Sequence, residues 1–253
     1  VGACRVTAPC LTLRRDGAIS RLRLDRAAKG NGLSADMVTQ LDDAIDSCCA
    51  NGTQALLIEG AGAHFCTGFD LSNLDAETDD SLLARFVRVE LLLQKVYRAP
   101  FITAALAHGK TWGAGADLFA ACALRWARPD TSFAFPGAAF GLVLGSGRLA
   151  ELTGSATATE WITRGNTITA REATDRALVQ SIDNTSDAQQ AVAQLDTMVN
   201  RLDAPTLAQI RAATRTRDPS ADAVDLARLV RSAARPGVKA RIAAYRAALR
   251  ANR

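Results

Sequence analysis

The chain has 253 residues, a formal net charge of +4, and 48% hydrophobic against 22% charged residues. That length and balance suit a globular protein with a sizeable core, and so mild a charge does not by itself argue for a nucleic-acid partner. No apolar run is long enough to span a bilayer, and Val1 to Leu11 lacks the cationic region and apolar stretch of a signal peptide.

Leu11-Thr12-Leu13, Asp16-Gly17 and the alternating Arg21-Leu22-Arg23-Leu24 predict a β-hairpin, with Asp16-Gly17 supplying the positive φ values of a tight primed turn. Ser34 reads as the N-cap of a helix. Its apolar residues, from Met37 and Val38 through Leu41, Ala44 and Ile45 to Cys48 and Cys49, recur at helical spacing until Asn51-Gly52. Ala55 to Ile58 predicts a short buried parallel strand, and a glycine-rich loop, Gly60 to Gly68, follows it. Residues 81–97 are helical by period, Pro100 ends that helix, and Phe101 to Leu106 predicts a second buried strand. Gly109 to Gly115 is a second glycine-rich turn, leading into an apolar helix from Ala116 to Cys122.

Beyond Phe133 the pattern is mainly helical. Thr169 caps one helix, with Glu172 completing a capping box. Ser186 caps another, from Asp187 to Leu202, and Leu226 to Arg253 is amphipathic with a break at Pro236-Gly237. Strand–helix units followed by helices predict an α/β core with a helical C-terminal region. Basic residues crowd into that region, among them Arg211, Arg215, Arg217, Lys239, Arg241 and Arg246. They read as a solvated helix face, with a phosphate-binding rim as the sharper alternative.

Cys4, Cys10, Cys48, Cys49, Cys66 and Cys122 form no CxxC pair and no His-partnered spacing, so no metal site is expected. Such a set fits a reducing cytoplasm. The chemistry concentrates in the two glycine-rich segments, Gly60 to Leu71 and His108 to Asp117, each of which follows a predicted strand. Glycine there lets backbone N–H groups point into a cleft, and two such groups stabilise an oxyanion. Neither segment is a Walker loop or a dinucleotide fingerprint. His64 and His108 read as structural, and Trp112 as a wall or core residue.

In this order and spacing the segments resemble the crotonase (enoyl-CoA hydratase/isomerase) superfamily. Asn31-Gly32-Leu33-Ser34 is similar to its N-A-L-S helix entry, and Gly60 to Leu71 to its G-A-G-x-x-F-C-A-G-x-D-L loop. Gly113 to Leu118 is similar to its G-G-G-x-E-L turn, Phe135-Pro136-Gly137 through Gly141-Leu142 to its F-x-x-P-E-x-x-x-G-L segment, and Ala170 to Val179 to its A-x-E-A-x-x-x-G-L-V segment. The resemblance covers about residues 10–183 in register.

The resemblance implies a ββα superhelical core over residues 1–185, a helical C-terminal trimerisation region over 186–253, and assembly as a homotrimer or homohexamer. It implies an acyl-CoA thioester as substrate, with coenzyme A carried by that substrate and no prosthetic group. The amides of Phe69 and Ala114 would form the oxyanion hole, and alanine at 114 in place of glycine still supplies an N–H. Phe69, Asp70, Leu71 and Ser72 would flank the coenzyme A moiety, and Arg26 and Lys29 would meet its phosphates.

Two departures matter. Hydratases of the family use two glutamates, and here the first position is Asp117 and the second Gly137. Asp117 is then the sole candidate acid/base, as in the family's dienoyl-CoA isomerases, which carry aspartate in that slot. One carboxylate suits isomerase-type proton shuttling, thioester hydrolysis or decarboxylation better than efficient hydration. The stretch Gly145 to Leu149 is also shorter than the family's, which reshapes the acyl pocket. The alternative from another class is a catalytically impaired acyl-CoA-binding or scaffold protein with the same fold. A third, RNA binding by the basic C-terminal face, would weaken steeply with salt.

Overall fold

The computed structural model describes residues 9–183 and 188–251. Strands β1 (Leu11–Asp16) and β2 (Ile19–Leu24) form the hairpin. Asp16 pairs with Ile19, so the central turn residues are Gly17 and Ala18, and of these only Gly17 has positive φ, at 56°. This corrects the predicted turn: a glycine at the first central position needs no help from Asp16, which stays in the strand.

Helix α1 (Ala35–Ala50) starts where expected, its cap Ser34 accepting from the Met37 amide. Strand β3 (Ala55–Gly60), helix α2 (Asp79–Arg98) and strand β4 (Ile102–Ala107) follow. A capping box at Thr78 and Ser81 opens α2 two residues earlier than its apolar period suggests. Next come β5 (Lys110–Trp112), α3 (Ala114–Ala121), β6 (Leu124–Ala127) and β7 (Ser132–Ala134). All three strands went unpredicted, β5 lying inside the segment read as a glycine-rich turn, because each is too short to show a period of two.

The remaining elements are α4 (Ser146–Thr153), α5 (Ser155–Arg164), β8 (Ile168–Thr169), α6 (Ala170–Asp175) and β9 (Ser181–Ile182). Helices α7 (Gln189–Val199), α8 (Ala204–Ala213), α9 (Ser220–Ala233) and α10 (Val238–Ala251) end the chain. Thr169 caps α6 through the Glu172 amide, and the break at Pro236-Gly237 separates α9 from α10. The predicted cap Ser186 lies outside the described residues.

One sheet runs β1-β2-β3-β4-β6-β9, antiparallel only at β1–β2, and a smaller sheet runs β5-β7-β8. Because β3 and β4 are parallel neighbours, both glycine-rich loops leave the same end of the large sheet. That topology, more than any single residue, brings the loops together. The main core lies between this sheet and α1, α2 and α3, and Leu195, Val199 and Leu207 of α7 and α8 cover the other face. A third cluster joins Leu82 and Phe86 of α2 to Leu229 of α9 and Ile242 of α10, so the C-terminal helices share cores with the rest of the chain.

The basic C-terminal stretch is not simply a solvated face. Lys239 Nζ donates to the Asp75 and Glu77 carbonyls (2.8 and 2.7 Å), Arg241 Nε to Phe140 (2.9 Å) and Arg246 Nη1 to Leu71 (3.0 Å). These cations are amphipathic straps: their stems pack while their heads satisfy loop carbonyls. Arg231, Arg235 and Arg250 do remain exposed. Among the described residues no helix is long and apolar enough to cross a membrane, and no cluster of three or more His, Cys, Asp or Glu could hold a metal.

Candidate active site

Two isolated parallel bridges hold the loops: Leu33 with Phe69 ties the first glycine-rich loop to the segment entering α1, and Cys66 with Thr111 joins the two glycine-rich loops. At the first, the Leu33 amide donates to Gly68 (2.8 Å) and the Asp70 amide to Leu33 (3.2 Å). This bridge uses the residues on either side of Phe69, so the N–H of Phe69 faces the opposite edge. Ala114 is the first residue of α3, and its N–H has no acceptor within the helix. The two segments touch at Gly68, whose φ is 101°. A Cβ there would stand 2.7 Å from the Trp112 carbonyl oxygen and 3.4 Å from the Ala114 nitrogen. Glycine at 68 is thus what lets the two backbones close up.

Phe69 and Ala114 line one cavity of about 220 Å3. Its walls are mostly apolar, and Asp117 is the one charged residue among its described lining residues. Asp117 sits in the first turn of α3 and is 5% exposed. Burial raises its carboxyl to about 8; Arg148 opposes that shift and Glu90 adds to it. Gly145, with φ of 66°, is packed against it, and a Cβ there would fall 2.0 Å from Asp117 Oδ1.

Behind Asp117 lies a buried ion pair. Arg148 Nη1 and Nη2 donate to the two Glu90 carboxylate oxygens at 2.9 and 2.5 Å, and both residues are 1% exposed. Sequence reading missed this pair. Its signal was Glu90 itself, a charge on the apolar stripe of α2 beside Phe86 and Leu93. Also missed were Tyr245 and Leu249 of α10, which close the cavity from the far end of the chain. Nothing local to α10 marks them, since only folding places them there.

Gly137 lines the cavity too, in a tight turn from Pro136 to Phe140. An added Cβ would meet nothing nearer than 3.8 Å, at the Leu142 carbonyl oxygen. The second glutamate position is therefore an open space with no side chain.

The residues expected to meet coenzyme A divide. Phe69 and Leu71 line the cavity. Asp70 does not: it pairs with Arg26 Nη1 (2.9 Å) and accepts from the Ser72 amide (2.9 Å) and hydroxyl. Burial pushes the Asp70 carboxyl up, but the Ser72 donors and Arg26 outweigh it, and the net shift is downward. Arg26 Nη1 also donates to the Gly32 carbonyl (2.8 Å), so that cation braces the loop. Lys29 is exposed and makes no ion pair among the described residues. Asn31 ties the same loop, its amide donating to Ala61 and His64 carbonyls (2.8 and 2.7 Å). His64 Nδ1 accepts from the Lys110 amide (3.2 Å), and His108 Nε2 lies 3.0 Å from the Gly62 carbonyl. Trp112 lines the cavity wall.

Comparison with known proteins agrees with this fold. The enoyl-CoA hydratase/isomerase family profile matches residues 14–227. A solved enoyl-CoA hydratase/isomerase structure from Bordetella parapertussis superposes with a TM-score of 0.90 at 37% identity, over 94% of this chain and 98% of the other. A Bacillus subtilis relative named an enoyl-CoA hydratase is 32% identical over 59% of this chain and 60% of its own length. Mouse ethylmalonyl-CoA decarboxylase is 30% identical over 72% of this chain and 58% of its own. The chain thus spans less than two thirds of these two relatives. Taken with the paired glycine loops on parallel β3 and β4, the profile match shows that the chain belongs to the enoyl-CoA hydratase/isomerase family.

Proposed function

We propose that the protein is an acyl-CoA-processing enzyme that holds a thioester oxygen between the Phe69 and Ala114 amides and uses Asp117 as its only acid/base. The observation that carries this reading is a single carboxylate in an apolar cavity, beside two backbone N–H groups free of intrachain helix or bridge acceptors. Preorganised donors of this kind stabilise an enolate as charge moves onto the thioester oxygen.

With one carboxylate, isomerase-type chemistry balances. Ionised Asp117 takes a proton from the α-carbon of a 3-enoyl thioester, and the electron pair delocalises onto the oxygen. The resulting acid returns the proton to the γ-carbon, giving the 2-enoyl isomer. Decarboxylation of a malonyl-type thioester balances as well: loss of carbon dioxide generates the enolate, and protonated Asp117 supplies the α-proton. The relationship to ethylmalonyl-CoA decarboxylase supports including this second route. Efficient hydration is disfavoured because the Gly137 position holds no group to position and deprotonate water.

The test is turnover of a panel of 2-enoyl-, 3-enoyl-, malonyl- and saturated acyl-CoAs, followed by chromatography and mass spectrometry. Isomerisation shifts retention at constant mass, decarboxylation loses the mass of carbon dioxide, and hydration adds that of water. Asp117→Asn is expected to abolish turnover and leave CoA binding intact. Thioester binding by calorimetry without conversion of any substrate would instead favour a scaffold role, for which the empty Gly137 position speaks.

A further inference from the structure

A second cavity, of about 130 Å3, lies on the other side of Arg148 from Asp117's pocket, at the C-terminal ends of α2 and α3. Arg125, Arg148, Arg211 and Arg215 line it. Arg148 is neutralised by Glu90, yet its Nε is buried with no partner. The other three have no carboxylate partner among the described residues. Arg125, 7% exposed, donates only to the carbonyls of Leu178, Cys122 and Ala123. Arg215 donates only to those of Arg98 and Ala99, and its Nε is buried and unpartnered. Arg211 makes no hydrogen bond or ion pair among the described residues, and its Nε is buried too.

Helix C-terminal carbonyls offset part of this charge. Each helix end contributes about half an elementary charge, too little to balance three guanidiniums. Glu151 is the single carboxylate at the wall. It is already held by the Tyr97 hydroxyl (3.1 Å), the Thr216 hydroxyl and Arg217 (3.8 Å). Burial first, then the neighbouring Arg215 for Arg211 and Arg98 for Arg215, press the protonation equilibria of these arginines downward, while Glu151 offsets part of this at Arg125 and Asp222 part at Arg215.

We propose that this cavity is an anion site, taking a phosphate-sized oxyanion between Arg125, Arg211 and Arg215. Guanidinium forks match the oxygens of phosphate in paired, charge-assisted hydrogen bonds. The volume admits inorganic phosphate or the phosphate end of an ester. Access is open, because the cavity shares Arg125, Glu151, Leu152 and Thr214 with a wider surface groove. The site is separate from the thioester cavity and does not depend on the reaction proposed above.

The test is thermal denaturation and calorimetric titration of the full chain with inorganic phosphate, against chloride at matched ionic strength to remove general screening. A saturable rise in Tm with phosphate is expected. Arg211→Gln is expected to weaken phosphate binding by about tenfold or more. In chloride the same variant should melt no lower than the parent, because it removes a half-buried cation without a carboxylate partner among the described residues. Arg211→Lys should keep a reduced response. Titration with glycerol 3-phosphate distinguishes the sources: tighter binding than phosphate assigns the site to a phosphate ester, and weaker binding to the free ion.

An undiminished response in Arg211→Gln, or no saturable response in the parent, would overturn the proposal. So would loss of the response in saturating coenzyme A, since phosphate would then be reporting on the thioester site. A change of oligomeric mass in Arg211→Gln would overturn it as well, because the counter-charge would be a partner subunit's.

Discussion

Asp117 is an acid placed where its ionised form is costly. Its carboxyl titrates near 8 against 3.8 for the ordinary residue, so about a tenth is ionised at pH 7. The two balanced routes use opposite forms. Isomerisation begins with the carboxylate, so its rate should rise as pH rises through about 8; decarboxylation uses the acid, so its rate should fall through the same range. A pH profile on the converted substrate separates them. Stability follows the same linkage. A carboxyl with a raised folded pKa stabilises fully below the unfolded value, and that contribution is lost as pH climbs toward 8. Asp117→Asn should therefore be more stable than the parent at pH 7, by on the order of 1–4 kcal/mol in urea unfolding, while losing turnover. Gly137 supplies the complementary experiment. The space around it accepts a side chain, so Gly137→Glu should fold and raise hydration of a 2-enoyl-CoA by at least about tenfold. No gain in hydration from a folded variant would show that the missing carboxylate is not what limits that reaction.

At the scale of elements, α2 carries both a core stripe and the buried Glu90 that anchors Arg148 of α4. Removing one partner leaves the other charge uncompensated. Glu90→Ala should cost about 3–5 kcal/mol, read as a lower urea midpoint at unchanged slope. Helix α10 has a different task. It is strapped over the cavity by Lys239, Arg241 and Arg246, and it presents Tyr245 against Phe140, their ring centroids 5.4 Å apart. Tyr245→Ala should lengthen the cavity and shift kcat/KM toward longer acyl chains, measured across a chain-length series. An unchanged preference would place the acyl chain elsewhere. The periodicity of α1, α2, α7, α10 and the second half of α9 was legible because each repeats its apolar face, whereas α8, which buries Leu207, was not read. Strands of two to four residues, β5 to β9, were not, because pairing rather than pattern defines them.

For the whole molecule, the geometry of the candidate site depends on parallel pairing of β3 with β4, which delivers two loops some forty residues apart in sequence to one place. By resemblance the chain is expected to assemble as a homotrimer or homohexamer, and light scattering coupled to size exclusion will read the mass directly. A monomer would leave the helical C-terminal region with only the intrachain role seen here, covering the sheet and closing the cavity.

The sequence by itself determined the glycine loops, the Ser34 cap, the Asp117 and Gly137 departures and the family resemblance, because each is a local arrangement of residue types. The side chains that complete the site depend on contacts between distant segments. Glu90 and Arg148 meet across 58 positions, and Tyr245 reaches a cavity opened by residues near 69 and 114. Local pattern carries no information about such meetings. The same reason explains Arg26, whose partner Asp70 is 44 positions away. A cation that reads as free in sequence is committed once the chain folds, whereas Arg211, which reads as solvated, is left half-buried without a counter-charge among the described residues.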